Sequence, residues 1–202
     1  LDRAKESDIL CLNELHVNSE HRAFLNEILP DLYKLGYRYL FLEALDISIP
    51  LSEINDPAAE PKTYWGPYIR DPVFAHLIKK AKDIGFTLLS YNPTNDDIKD
   101  QYQKLKTKFP DAASDTTGWY KDANGIKHYL ADGELRFSAR ERAMASNISK
   151  HLNTLNGAKC IVYGGGGHFK TNTCGHSFPA YYWLTEMRTE KIFVMNQITS
   201  DH

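Results

Sequence analysis

Short runs of contiguous apolar residues recur along this chain, and between them the apolar residues fall at helical spacing. The runs cover residues 8–15, 37–45, 86–91, 159–163 and 192–198. Each is short for a helix and rich in aliphatic and aromatic residues, the pattern of a strand buried on both faces. Between them, Leu25, Ile28, Leu32 and Leu35 form one helical stripe, and Phe74, Leu77, Ile78, Ala81 and Ile84 a second. Met144, Ile148, Leu152 and Leu155 form a third. Start and stop signals agree with these periods. Asn18 or Ser19 caps the first helix and Gly36 ends it, while Asp71-Pro72 opens the second and Gly85 closes it. Ser138 and Glu141 read as a capping box for the third, stopped by Gly157. A helix-like stretch lies near residues 97–108 and a last helix at 177–188. Strands alternating with helices imply an α/β fold, with a mainly parallel central sheet flanked by helices on both faces.

Two stretches interrupt the alternation. Residues 46–70 carry Pro50, Pro57, Pro61 and Pro67 together with Tyr64, Trp65 and Tyr68. Residues 93–133 are polar, and Asn124-Gly125 turns a hairpin over 119–129 that carries Trp119 and Tyr120. Both read as insertions into one domain spanning 1–202, forming a lid or cap over a pocket or packing as a small satellite core. Charge argues against some classes of partner. The net charge is -2 and Lys and Glu are dispersed, so no nucleic-acid or anionic-membrane footprint is present. No apolar stretch reaches the length of a membrane span. The cysteines number 3, an odd count that argues against a disulfide framework.

In an open parallel sheet, ligands bind beyond the carboxyl ends of the strands. Along that edge the sequence places Glu14 and His16, then Glu43, then Asn92, then four glycines (Gly164 to Gly167) running into His168. Glu14 and His16 are two apart and point the same way on an extended segment. Glu43 follows buried residues, where a carboxylate requires a partner. The amides of Gly166 and Gly167 are placed to approach a ligand or oxyanion beside His168. A lone strand-end glutamate is as often a cap or ion-pair partner as a functional group, so the four together carry the argument. His21, His76, His128 and His151 read as surface residues. The glycine run lacks the Gly-Lys-Ser/Thr of a phosphate loop and the third glycine of a dinucleotide fingerprint. No Gly-x-Ser-x-Gly elbow is present. A zinc site from Cys160, His168, Cys174 and His176 is disfavoured because Cys160 belongs to a core run.

The motif Asn13-Glu14-Leu15-His16 resembles the Gly-Glu-x-His opening of the erythromycin esterase, ChaN-like and Tiki superfamily, with Asn13 in place of the usual glycine. The stretch from Gly36 to Glu43 is similar to that superfamily's second strand with its acidic end. Arg140-Glu141-Arg142-Ala143-Met144-Ala145-Ser146-Asn147-Ile148 is similar to its Arg-Asp-x-x-Met-Ala-x-Asn-Ile helix, and Gly167-His168 to its late Gly-x-His strand end. The resemblance implies a site of Glu14, His16, Glu43 and His168 with Arg140 nearby, and an exported or cell-envelope location. It implies three alternatives: a histidine base acting on water in the esterase branch, a divalent metal for peptide hydrolysis in the Tiki branch, and haem-iron handling in the ChaN branch.

The leading expectation is a hydrolase of ester, amide or peptide bonds, acting on a small-molecule or peptide substrate. His16 activates water, Glu14 or Glu43 orients it, and His168, Arg140 and the glycine amides stabilise the oxyanion. A divalent metal (Mn, Zn or Co) held by Glu14, His16, Glu43 and His168 is compatible with these ligand types. The rival expectation is a haem- or metal-binding protein without turnover, with His16 and His168 as axial ligands.

Overall fold

The computed structural model describes residues 1–109, 119–121, 127–129, 132–155, 157–171 and 178–197. After a one-turn helix α1 (Asp2–Lys5) come β1 (Ile9–Glu14), α2 (Ser19–Lys34), β2 (Tyr37–Leu42) and the short α3 (Leu51–Ile54). A 3-10 turn (Thr63–Trp65) leads to α4 (Pro72–Ile84), β3 (Thr87–Ser90) and α5 (Asn95–Lys108). The chain continues through β4 (Trp119–Lys121), β5 (Lys127–Tyr129), α6 (Asp132–Leu152), β6 (Lys159–Gly165), α7 (Ala180–Met187) and β7 (Ile192–Asn196).

Five of these strands form one sheet in the order β3-β2-β6-β1-β7, and every pairing in it is parallel. Period-two alternation sends Leu10, Leu12, Leu40, Leu42 and Ile161 to one face, where the stripes of α2 and α4 cover them. Ile9, Cys11, Phe41, Cys160 and Val162 go to the other, against α5, α6 and α7. Strands β4 and β5 pair antiparallel, as the hairpin signal requires; their turn at Asn124-Gly125 lies outside the described residues.

Most local signals act as read. The Asn18 side chain accepts from the amide of Glu20 at 3.0 Å, Asp71 caps α4, and Gly85 closes it in the left-handed region at φ +108°. Pro30 inside α2 has no N–H to offer the carbonyl of Asn26, and the Lys80 ammonium takes that place at 2.6 Å. The edge strand β3 is protected too, since the Asn55 amide both donates to and accepts from the backbone of Leu88, at 2.9 and 2.7 Å.

Two expectations are corrected. Helix α6 begins at Asp132, so Ser138 and Glu141 lie inside it and form no capping box there. Ser138 instead accepts from the amide of Phe178 at 3.2 Å. His21 is a buried residue rather than a solvated one, and its Nδ1 accepts from the amide of Leu15 at 2.9 Å. In the segment 46–70, Ile54, Trp65 and Ile69 join the core on the α2 and α4 face. Burial of those apolar side chains makes the segment part of the packed layer.

Candidate active site

Strand β6 lies between β1 and β2, so the carboxyl ends of these three strands converge. This adjacency brings together Glu14 from β1, His16 and Glu43 from the turns after β1 and β2, and His168 after β6. Arg140 enters from α6.

Glu14 is 2% exposed and its two oxygens take four donors. Oε1 accepts from His16 Nδ1 at 2.7 Å and Arg22 Nη2 at 3.1 Å. Oε2 accepts from Arg22 Nε at 2.9 Å and the Tyr163 hydroxyl at 2.6 Å. Burial works against its charge, but the hydrogen bonds from His16, Arg22 and Tyr163 outweigh it and hold the carboxyl below its ordinary range. Arg22 also donates to the carbonyl of His16 at 2.8 Å and to Asp71. One buried guanidinium thus ties β1, the His16 turn and the start of α4 together.

His16 is held on three sides. Its Nδ1 donates to Glu14, its backbone is held by Arg22, and its ring stacks on Tyr68 with centroids 4.5 Å apart and planes 18° from parallel. With Nδ1 carrying the hydrogen, the neutral imidazole presents an unprotonated Nε2. That atom lies 3.9 Å from Glu43 Oε2, and the side chain is 32% exposed.

Glu43 Oε2 accepts from the amide of Gly165 at 2.7 Å, and Oε1 accepts from His168 Nε2 at 3.1 Å. Burial opposes its charge, yet His168 and the Gly165 amide prevail and bring the carboxyl down to about 2. His168 donates through its other nitrogen, Nδ1, to Glu141 at 2.8 Å. Burial disfavours the charged ring, but Glu141 and Glu43 more than compensate, and its pKa rises to about 9. Arg140 is partly exposed and makes long contacts of 3.5 Å to both Glu43 and Glu141.

The glycine run serves close approach. A Cβ on Gly164 would collide with the Tyr91 hydroxyl, and one on Gly165 would lie 2.8 Å from His16 Nε2. The Gly166 amide donates to the carbonyl of Glu14 at 2.9 Å. Gly167 is exposed, with no atom within 4 Å of where its Cβ would stand.

All five side chains expected from sequence therefore meet. Three partners were missed. Arg22 falls on the apolar stripe of α2 with Leu25, Leu29 and Leu32, and Glu141 falls on that of α6 with Met144 and Ile148. A charge on an apolar stripe is the signal that marks them. Tyr163 carried none, being one aromatic residue in an apolar strand.

As arranged, the donor set does not fit a four-ligand metal. Both oxygens of Glu14 and both nitrogens of His168 are engaged, leaving His16 Nε2 and Glu43 Oε2 as the facing pair. Among the described residues no group of three or more His, Cys, Asp or Glu is arranged to hold a metal ion. A haem held by His16 and His168 together does not fit either, since His168 has no open nitrogen.

No family model matches the chain, and no curated protein matches it. Solved structures do. The chain is similar to ChaN of Campylobacter jejuni, described for its cofacial haem binding, with a TM-score of 0.61 at 14% identity over 98% of this chain and 84% of that one. It is also similar to the type III effector HopBA1, with a TM-score of 0.55 at 15% identity over 95% of this chain and 77% of that one. These likenesses show a shared ChaN-like fold.

Proposed function

We propose that this protein is a hydrolase of carbonyl compounds in which His16 is the general base acting on water. The observation that carries the reading is the array in which buried Arg22 and Glu14 hold the partly exposed His16, presenting Nε2 as an open acceptor 3.9 Å from Glu43 Oε2. A water donating one hydrogen to each of these acceptors stands about 2.8 Å from both. His16 removes a proton from it as the oxygen bonds to the carbonyl carbon. The tetrahedral oxyanion that forms is stabilised by the Arg140 guanidinium and the field of the charged His168. As the adduct collapses, the bond to the leaving group breaks, and Nε2–H returns its proton to that group. Glu14 fixes the tautomer and stabilises the imidazolium formed midway.

Turnover of p-nitrophenyl esters and of dye-labelled casein by wild type, His16→Ala and Glu14→Gln tests this. Loss of about a hundredfold or more in kcat in both variants is expected. A His16→Ala protein as active as wild type, or a wild type inert towards every ester, amide and peptide probe, sinks the reading.

A second reading rests on the same atom. An open Nε2 beside the face of Tyr68 also suits one axial ligand to haem, and a ChaN-fold relative binds haem. A Soret shift on adding haemin, absent in His16→Ala, would favour it.

A further inference from the structure

Glu141 is fully buried on α6, and the reaction sketched above does not use it. Its oxygens lie 2.9 and 2.8 Å from His168 Nδ1. Oε2 also accepts from the amide of Ala180, the first residue of α7, at 3.0 Å. That backbone bond fixes the carboxylate independently of the histidine. On its far side His168 donates to Glu43, whose other oxygen faces His16. Carboxylate and imidazole thus alternate in the order Glu141, His168, Glu43, His16, Glu14.

A neutral imidazole carries one N–H, and His168 has a carboxylate against each nitrogen. Both contacts are satisfied at once only when both nitrogens are protonated. From this juxtaposition we propose that Glu141 is a positioning residue that keeps His168 doubly protonated, so that Glu43 stays an ionised acceptor aimed at the water beside His16. Without Glu141, the single hydrogen of His168 has no second carboxylate to settle against, and Glu43 loses a fixed cationic partner. The oxygen that faces His16 then keeps the Gly165 amide, but the carboxylate is no longer pinned from its other oxygen. The inference rests on the hydrolase reading for its catalytic consequence, and on hydrogen-bond geometry for its chemistry.

The test compares wild type with Glu141→Gln and Glu141→Asp. One readout is the nitrogen-15 NMR signature of the His168 ring near neutral pH, assigned by its disappearance in His168→Asn. The other is ester hydrolysis split into kcat and KM. In wild type both ring nitrogens are expected to be protonated. Glu141→Gln should lose that signature, and its kcat should fall at least about tenfold with KM within about twofold. Glu141→Asp, which keeps the charge, should retain the signature and recover part of kcat. A Glu141→Gln protein with both nitrogens still protonated, or with kcat unchanged, overturns the proposal. Should the glutamine variant fail to fold, loss of the doubly protonated signature in Glu141→Asp overturns it instead. A wild type that turns over no probe defeats the hydrolase reading alone, because the NMR comparison still decides what Glu141 does.

Discussion

His16 Nε2 and Glu43 Oε2 stand 3.9 Å apart, and in the neutral imidazole neither has a hydrogen to give the other. Two acceptors held face to face by partners behind them define a place for a donor. The partners differ in kind: Glu14 and Arg22 lie behind His16, while His168 and the Gly165 amide lie behind Glu43. The pair is therefore held from both sides, the preorganisation that the proposed hydrolysis requires.

Arg22 neutralises a carboxylate that is almost wholly buried. Its replacement by alanine should cost about 3–5 kcal/mol, because a buried charge is left without a partner. Urea denaturation measures the loss. Adding Glu14→Gln to Arg22→Ala should recover a good part of the stability while leaving the protein inactive. A double variant no more stable than the single one would show that packing, rather than charge, is what Arg22 supplies.

Gly165 gives His16 its room. A Cβ there would lie 2.8 Å from Nε2, the atom proposed to take the proton. Gly165→Ala is expected to fold with nearly the wild-type Tm yet to lose about a hundredfold in kcat, since misplacing a reacting group by about 1 Å has that effect. Near wild-type turnover would show that the ring does not work from this position.

Tyr68 acts through its ring. The stack on His16 is worth about 0.5–1.5 kcal/mol as an aromatic pair. Tyr68→Phe should preserve activity and Tyr68→Ala should lower it several-fold with little change in Tm. Equal loss in both would transfer the role to the hydroxyl.

Stability should depend on pH on both sides of neutrality. The folded-state pKa of His168 is raised to about 9 from an ordinary 6.5, so its contribution is full below 6.5 and is lost as pH rises through 9. The shift corresponds to on the order of 3 kcal/mol, shared with the carboxylates that produce it. Glu43 is lowered to about 2 from an ordinary 4.5, so its contribution is present above 4.5 and is lost as pH falls through 2. Denaturation midpoints across this range should decline at both ends, and His168→Gln should flatten the alkaline decline. An alkaline slope unchanged in that variant would contradict the ion-paired state of His168.

The amino-acid sequence by itself determined the parts that depend on near neighbours. Apolar runs became the five strands of the sheet, the caps at Asn18 and Asp71 and the stop at Gly85 act where they stand, and Glu14 and His16 meet across one intervening residue. Period and capping operate within a few residues, so one chain reveals them. Tertiary structure decided the strand order. With β6 between β1 and β2, the Tyr163 hydroxyl reaches Glu14 across 149 positions and the Gly165 amide reaches Glu43 across 122. It also turned Arg22 and Glu141 inward, so that Glu14 and His168 spend their donor and acceptor sites on protein partners. Such pairings arise only when distant elements pack, because burial makes a charge seek whatever partner the fold places beside it.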